Sequence, residues 1–164
     1  MQSVMKFLTI VAILLMAGNS HAQLKGFSFG PYLETAKPIG DFEVTNRNGI
    51  GAGIAADIRL GKVGLTGSAG VMHFPGRLPD LSHDRHPSVT AIPVRAGFKY
   101  RIISPLYLKV EAGTANYTNG DPNAFILSPG VGLRLFGLDV QVKYESWMSQ
   151  SNRSMWGLKA GYNF

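Results

Sequence analysis

The sequence has 164 residues, which is the length of one ordinary domain and leaves no room for two. It contains no cysteine, which excludes a disulfide framework and zinc–thiolate chemistry, and its net charge of +6 is spread without the basic block typical of nucleic-acid binding. Only 16% of the residues are charged, yet the mean hydropathy is only +0.06, so polar and apolar residues must be finely interleaved.

The first 22 residues have the pattern of a secretory signal peptide. Lys6 supplies a positive start, an apolar run follows over residues 7–17, and Ser20 and Ala22 are small residues at the −3 and −1 positions of a cleavage site. A membrane-anchoring helix is the alternative, but the run is shorter than the about 20 residues that cross a bilayer. We therefore expect residues 1–22 to be a signal peptide.

The mature chain is expected to begin at Gln23 and to form one domain over residues 23–164. It has no apolar stretch long enough for a transmembrane helix, so it could span a membrane only as a β-barrel. Apolar and polar residues alternate in eight segments of about ten residues each, which is the period of a β-strand. The segments are Lys25–Thr35, Asn48–Leu60, Val63–Phe74, Ser88–Arg101, Leu106–Tyr117, Phe125–Phe136, Leu138–Ser149 and Ser154–Phe164.

The connections between these segments differ on the two sides. Short turns are predicted on one side, at Gly61–Lys62, Ile102–Pro105 and Gly137. The other side carries the long loops Ala36–Arg47 and Pro75–Pro87, an intermediate connection, Thr118–Ala124, and a short one, Gln150–Arg153. Short periplasmic turns, longer external loops and an even strand count are typical of outer-membrane barrels. The sequence therefore predicts an all-β fold, an eight-stranded antiparallel up-and-down transmembrane β-barrel.

A soluble, lipocalin-like periplasmic barrel with a ligand inside has the same period and is an alternative. Two features favour lipid on the outside. The apolar face carries almost no Lys, Glu or Asp, and such a charge near the bilayer midplane would cost about 2–4 kcal/mol. The polar face mixes long charged side chains with glycines, which suits a narrow interior.

The interior of an eight-stranded barrel is wide enough only to be filled by its own side chains. We therefore predict a buried core of mutually paired charges, with a narrow gated ion path as the alternative. The predicted core residues are Asp57, Arg59, Arg95, Lys99, Lys109, Glu111, Arg134, Lys143, Glu145 and Lys159.

Outward-facing aromatic residues are predicted to form girdles at both membrane interfaces. Phe125 and Trp156 fall at the external rim. The periplasmic rim is predicted to carry Phe27, Phe29, Phe98, Tyr100, Tyr162 and Phe164. Aromatic residues are enriched in strands in any case, but here they also occupy the alternate positions that face outward.

Several short motifs, taken in order, resemble those of small outer-membrane β-barrel (porin-like) proteins of Bacteroidetes. They are Gly30-Pro31-Tyr32, Pro38-Ile39-Gly40-Asp41-Phe42, Gly49-Ile50-Gly51-Ala52-Gly53, Ser128-Pro129-Gly130-Val131-Gly132 and Gly161-Tyr162-Asn163-Phe164. The resemblance covers the whole mature chain. It implies the barrel fold, an outer-membrane location and reading of the terminal aromatic residue by the assembly machinery, and it implies no single activity. We expect outer-membrane lipid and lipopolysaccharide as partners, a monomer, and no nucleic acid.

Some eight-stranded outer-membrane barrels modify lipid A, and a nucleophilic serine needs a histidine within hydrogen-bond reach. His73 is predicted to face outward at the external rim, but its neighbours Met72 and Phe74 do not give the His-x-Ser pattern of lipid A deacylases. The run Ser82-His83-Asp84-Arg85-His86 has the residue types of a triad. Consecutive residues on one loop, however, rarely point at one another.

The same loop could bind a metal through His83, Asp84 and His86, although without rigid support. The run Asn119-Gly120-Asp121 indicates a turn first and a calcium site only remotely. We therefore predict no enzymatic activity and no catalytic, cofactor-binding or metal-binding residue. The expected role is structural, or binding through the two long loops, with a lipid A-modifying enzyme that uses His73 or His83 as the alternative.

Overall fold

Eight antiparallel strands close into a barrel in the order of the sequence, as the alternation of apolar and polar residues predicts. The structure, a computed structural model, describes residues 26–78, 86–150 and 152–164. The strands are β1 Phe27–Ile39, β2 Gly49–Leu60, β3 Val63–Phe74, β4 Val89–Ile103, β5 Leu106–Tyr117, β6 Ala124–Leu135, β7 Leu138–Met148 and β8 Arg153–Tyr162. A short helix, α1 Asp41–Thr45, lies between β1 and β2.

Strand β1 closes the barrel because it pairs on both sides. Tyr32 lies opposite Gly53 of β2 and opposite Gly161 of β8. Each strand thus has a neighbour on either side, and the barrel has no free edge at which another chain could pair. We call the end with the tight turns after β2, β4 and β6 the turn end, and the opposite end the loop end.

The largest difference from the predicted strand boundaries at the loop end is the end of β1. Strand β1 continues to Ile39 because Ala36 pairs with Gly157 and Ile39 pairs with Ser154 of β8. The predicted loop Ala36–Arg47 is therefore shorter, and part of it is the helix α1. Gly40 follows the strand with a φ of 63°, a conformation that glycine adopts without strain.

At the turn end, β4 extends two residues beyond Arg101, to Ile103, and β8 ends at Tyr162 instead of Phe164. Phe164 nevertheless stays attached to the barrel, because its backbone N–H donates a hydrogen bond to the carbonyl oxygen of Phe29 at 2.9 Å. The end of the chain therefore lies against β1 without being part of a strand.

The two faces of the wall differ sharply in polarity. The outer face exposes large apolar side chains such as Leu33, Ile54 and Phe98, each more than 60% exposed. The inner face buries Arg95 and Glu145, which are 2% and 0% exposed. This is the reverse of the soluble lipocalin-like barrel, which would expose its charges to water and bury its apolar face. That alternative is therefore wrong for this wall.

No helix among the described residues is long and apolar enough to cross a membrane. The predicted signal peptide, residues 1–22, lies outside the described residues.

Candidate functional site

The centre of the barrel is bridged by four charged side chains, which we call the central ionic cluster. Glu34 of β1, Arg95 of β4, and Lys143 and Glu145 of β7 are all fully buried at the side chain. Arg95 Nη2 lies 2.7 Å from Glu145 Oε1 and 3.4 Å from Glu34 Oε1. Lys143 Nζ lies 2.6 Å from Glu34 and 2.5 Å from Glu145. Two cations and two carboxylates balance, which offsets the cost of removing them from water.

A second network, the turn-end ionic cluster, joins Asp57, Lys99, Arg134 and Asp139. Lys99 Nζ lies 2.9 Å from Asp57 Oδ2 and 3.0 Å from Asp139 Oδ2. Arg134 pairs with both carboxylates, and its Nε donates to Asp139 Oδ2 at 2.8 Å. The hydroxyl of Tyr107 also donates to Asp139. The four charged side chains of this cluster are 10–18% exposed, so water reaches this cluster and not the central one.

Two lysines lie between the clusters and differ in their partners. Lys109 Nζ pairs with Glu111 Oε1 at 3.1 Å. Lys159 Nζ lies 3.7 Å from the centroid of the Tyr32 ring and has no hydrogen-bond partner among the described residues. Both polar atoms of the Gln141 side chain, which is also buried, are likewise unpartnered in that part of the chain. The centre thus holds unsatisfied donors.

The predicted core of paired charges is confirmed for most of its members and wrong for two. Arg59 is exposed at the turn end because it lies near the end of β2, where the barrel opens. Lys159 is buried but makes its contact with an aromatic ring instead of a carboxylate. Glu34 and Asp139, which were not among the predicted core residues, complete the two clusters.

Small residues make room for the long interior side chains, as the mixture of charges and glycines predicts. A Cβ atom at Gly53 would lie 2.6 Å from the Tyr32 hydroxyl oxygen, and one at Gly70 would lie 2.5 Å from it. The Lys143 stem passes 3.0 Å from the position of a Cβ at Gly157. These glycines are therefore part of the packing of the interior.

The loop end of the interior is closed by aromatic side chains, which are not among the predicted core residues. We call Phe42, Phe74, Tyr117 and Trp147 the aromatic cap. The ring centroid of Phe74 lies 4.9 Å from that of Phe42 and 5.8 Å from that of Trp147. The ring centroid of Tyr117 lies 5.9 Å from that of Trp147. Phe42 comes from α1, so this helix folds over the mouth of the barrel. Trp147 Nε1 donates to Glu145 Oε1 at 2.5 Å and joins the cap to the central ionic cluster.

A cavity of about 410 Å³ opens at the turn end, and we call it the vestibule. Its lining includes Arg59, Lys62, Lys99, Arg101 and Arg134, with Asp57 as the one acidic residue in the described lining. A smaller cavity of about 20 Å³, lined in part by Lys109, Gln141 and Lys159, adjoins it, because both cavities share Asp57, Lys99, Arg134 and Asn163. The vestibule is therefore a blind, cationic recess below the filled centre.

The predicted external histidines are only partly described. His73 faces outward near the loop end, and its Nδ1 lies 2.7 Å from Thr90 Oγ1. The backbone N–H of His86 donates to the carbonyl of Arg77 at 3.0 Å. Residues Ser82, His83, Asp84 and Arg85 of the considered triad and metal site lie outside the described residues. Within the part of the chain that the structure describes, no group of three His, Asp or Glu side chains could hold a metal ion.

The turn at Asn119-Gly120-Asp121 is confirmed. Asn119 Nδ2 donates to Asp121 Oδ2 at 3.1 Å, and the Asp121 backbone N–H donates to Asn119 Oδ1 at 3.4 Å. Asp121 also pairs with Arg153 at 3.7 Å. These side chains stabilise the turn by bonding to each other.

The aromatic residues predicted for the two girdles face outward towards the two ends of the barrel. At the turn end, the Phe29 and Phe164 ring centroids are 6.2 Å apart, and those of Tyr162 and Phe164 are 5.1 Å apart. Towards the loop end, Trp156 and Phe125 are each about half exposed on the outer face. Rings of this kind are common where a barrel crosses the two membrane–water interfaces.

Comparison with known proteins gives the fold and no family. No protein-family model matches the chain, and no curated protein matches it. Among solved structures, it is similar to the outer-membrane protein Ail of Yersinia pestis in a phospholipid bilayer nanodisc, with a TM-score of 0.63 and 16% identity over 85% of this chain and 99% of that one. The N-terminal β-barrel domain of Pseudomonas aeruginosa OprF gives a TM-score of 0.56 and 13% identity over 84% of this chain and 97% of that chain.

A de novo designed transmembrane β-barrel also matches, with a TM-score of 0.56 and 16% identity over 85% of this chain and 96% of the designed one. The chain therefore has the fold of a small outer-membrane β-barrel. Together with the apolar outer wall, this fold indicates an integral outer-membrane protein. The resemblance to a Bacteroidetes family stays a prediction, because no family model matches.

Proposed function

We propose that this outer-membrane barrel is a closed scaffold whose role is structural, or binding through its external loops, and that it neither conducts ions nor catalyses a reaction. The observation that supports this proposal most strongly is the central ionic cluster. Its four side chains cross the barrel with no exposure to water, and the aromatic cap lies above them. Ions have no wetted route through such a plug, which argues against the gated path.

The expected partners of the wall are outer-membrane lipid and lipopolysaccharide. The outer face between the two girdles is apolar, and in this proposal Trp156 and Phe125 at the loop end would lie where the outer leaflet meets water. We propose that the chain is a monomer, since the barrel is complete within one chain.

Conductance and fractionation test the proposal. The purified protein should give no ion-conducting steps in a planar lipid bilayer and should migrate differently in a detergent gel before and after heating. It should stay with the membranes after osmotic shock and leave them only with detergent. Stepwise conductance would overturn the closed scaffold, and release by osmotic shock would overturn the membrane location.

The lipid A-modifying alternative receives no support from the contacts of His73, whose Nδ1 is engaged by Thr90. The mass spectrum of lipid A from cells with and without the protein tests this point. We expect identical spectra, and a change in acyl chains that depends on the protein would show that it is an enzyme.

We also propose that the chain is made with a signal peptide over residues 1–22, belongs to the Bacteroidetes group that it resembles, and is inserted by the outer-membrane assembly machinery. The intact mass of the membrane-bound protein should correspond to a chain that starts at Gln23. A mass that includes residues 1–22 would contradict the cleavage.

A further inference from the structure

The surplus positive charge of the interior lies between the central ionic cluster and the turn end. The central ionic cluster, the turn-end ionic cluster and the Lys109–Glu111 pair are each electrically balanced. Below the aromatic cap, the inward-facing cations that no described carboxylate pairs with are Arg59, Arg101 and Lys159. All three line the vestibule or the small cavity that adjoins it.

The lining of the vestibule contains three guanidinium groups, those of Arg59, Arg101 and Arg134. Arg59 lies within electrostatic range of both Arg101 and Arg134. Like charges repel one another, and Asp57 is already shared by Lys99 and Arg134. Guanidinium groups donate paired hydrogen bonds that match the oxygens of phosphate, so an anion near Arg59 and Arg101 would relieve the repulsion and accept hydrogen bonds from these two side chains.

Deeper groups point to a ligand independently of the rim arginines. The Lys159 ammonium and the Gln141 amide are at least 95% buried, and their polar atoms have no hydrogen-bond partner among the described residues. Buried donors without partners cost stability, so they are expected to be satisfied by water or by a bound group. Both side chains line the small cavity just inside the vestibule, where a negative oxygen atom or a water molecule could lie between them.

We propose that the vestibule is a binding site for a phosphorylated small molecule, held by Arg59 and Arg101, while Arg134, whose donors are engaged by Asp57, Asp139 and Ser28, adds only positive charge. Its volume of about 410 Å³ exceeds that of a single phosphate and lies within the range of ordinary small-molecule sites. Because the centre of the barrel above the vestibule is filled, a molecule bound there could not pass through the barrel. The cavity and its lining belong to the fold, whereas its opening towards the periplasm rests on the proposed function.

The test uses the whole barrel in a maltoside detergent that carries no phosphate. Titration calorimetry with tripolyphosphate should detect binding that weakens as salt is added. The double variant Arg59→Gln/Arg101→Gln should weaken it about ten- to hundredfold, since each charge-assisted bond to the anion is lost. The control Lys37→Gln/Arg47→Gln removes two exposed cations at the loop end and should leave the affinity within about twofold.

Heat-dependent gel migration checks that each variant has kept its barrel. No binding of tripolyphosphate to the native protein, or equal binding to the double variant, would overturn the proposal.

Two further ligands distinguish the source of the phosphate. Binding of glucose 6-phosphate would support a soluble ligand, and binding of dihexanoyl phosphatidic acid alone would support a lipid headgroup. Because the titration is done in detergent, its result does not depend on where the protein resides in the cell.

Discussion

Arg95 on β4 donates a hydrogen bond from Nη2 to Glu145 Oε1 on β7 at 2.7 Å, although these strands are not neighbours in the barrel. Glu145 also accepts from Lys143 and from the indole N–H of Trp147. One carboxylate thus ties together two walls and the aromatic cap. The stability of the barrel should therefore depend on the negative charge of Glu145 more than on the shape of its side chain.

Glu145→Gln tests this dependence, because it keeps the shape and removes the charge. Arg95 and Lys143 would then share Glu34 as their remaining carboxylate in the central ionic cluster. Leaving a buried cation uncompensated should lower the free energy of unfolding by about 3–5 kcal/mol. Urea-induced unfolding from lipid vesicles measures this change.

Asp121→Asn is the matched control for the loss of a carboxylate. Asp121 is 44% exposed at the side chain and lies 3.7 Å from Arg153, so its loss should cost no more than about 1 kcal/mol. Adding Lys143→Gln to Glu145→Gln should recover part of the stability, since charge balance returns. A Glu145→Gln barrel as stable as the native one would show that the cluster is not the main bridge.

The aromatic cap gives a second prediction. Trp147→Ala should lower the free energy of unfolding by about 3–5 kcal/mol, because it leaves a void beside Phe74 and Tyr117. Trp147→Phe should cost less, since it keeps most of the packing and loses only the hydrogen bond to Glu145. Neither variant should conduct ions, because the central ionic cluster remains in place. The same unfolding measurement and a planar bilayer recording check both points.

Phe136→Ala removes an aromatic side chain that is 97% exposed in the turn after β6, and it should change the stability by less than about 0.5 kcal/mol. Conductance through the Trp147→Ala barrel would mean that the cap, and not the ionic cluster, closes the interior.

The alternation of apolar and polar residues was sufficient to predict the strands, their order and the face on which each charge lies. It could not reveal that Met72, Phe74, Tyr117 and Trp147 lie on the inward face at the loop ends of their strands. The signal was present, since these residues share parity with the interior charges. Alternation gives the face of each residue but not the height at which the inward face changes from charged to apolar, so it does not predict an apolar layer at one end.

The sequence also does not predict which interior side chains pair with one another. Arg95 and Glu34 are 61 residues apart, and their contact depends on the stagger of the strands around the barrel. Alternation fixes which face a side chain lies on, but not its height relative to strands across the barrel. For the same reason Lys159 could not be distinguished from the paired lysines, although its contact is with Tyr32.

The lipid-facing wall gives a third prediction, which compares two positions on one strand. Ile54 lies in the middle of β2 and is 68% exposed, whereas Leu60 ends that strand at the turn end and is 63% exposed. Ile54→Lys should cost about 2–4 kcal/mol of folding stability in vesicles, and Leu60→Lys about 0–1 kcal/mol. Equal costs at the two positions would mean that the bilayer does not surround this wall as proposed.

The attachment of Phe164 to β1 gives the last prediction. Its N–H bonds to Phe29, and its ring packs beside Phe29 and Tyr162, so it ties the end of β8 to the strand that closes the barrel. Deleting Phe164 should lower the yield of heat-modifiable barrel in the outer membrane more than a change in a loop does. Leu78→Ala, which trims an exposed apolar side chain after β3, is the control. If the chain without Phe164 inserts as well as the Leu78→Ala chain, the contact with Phe29 does not contribute to assembly.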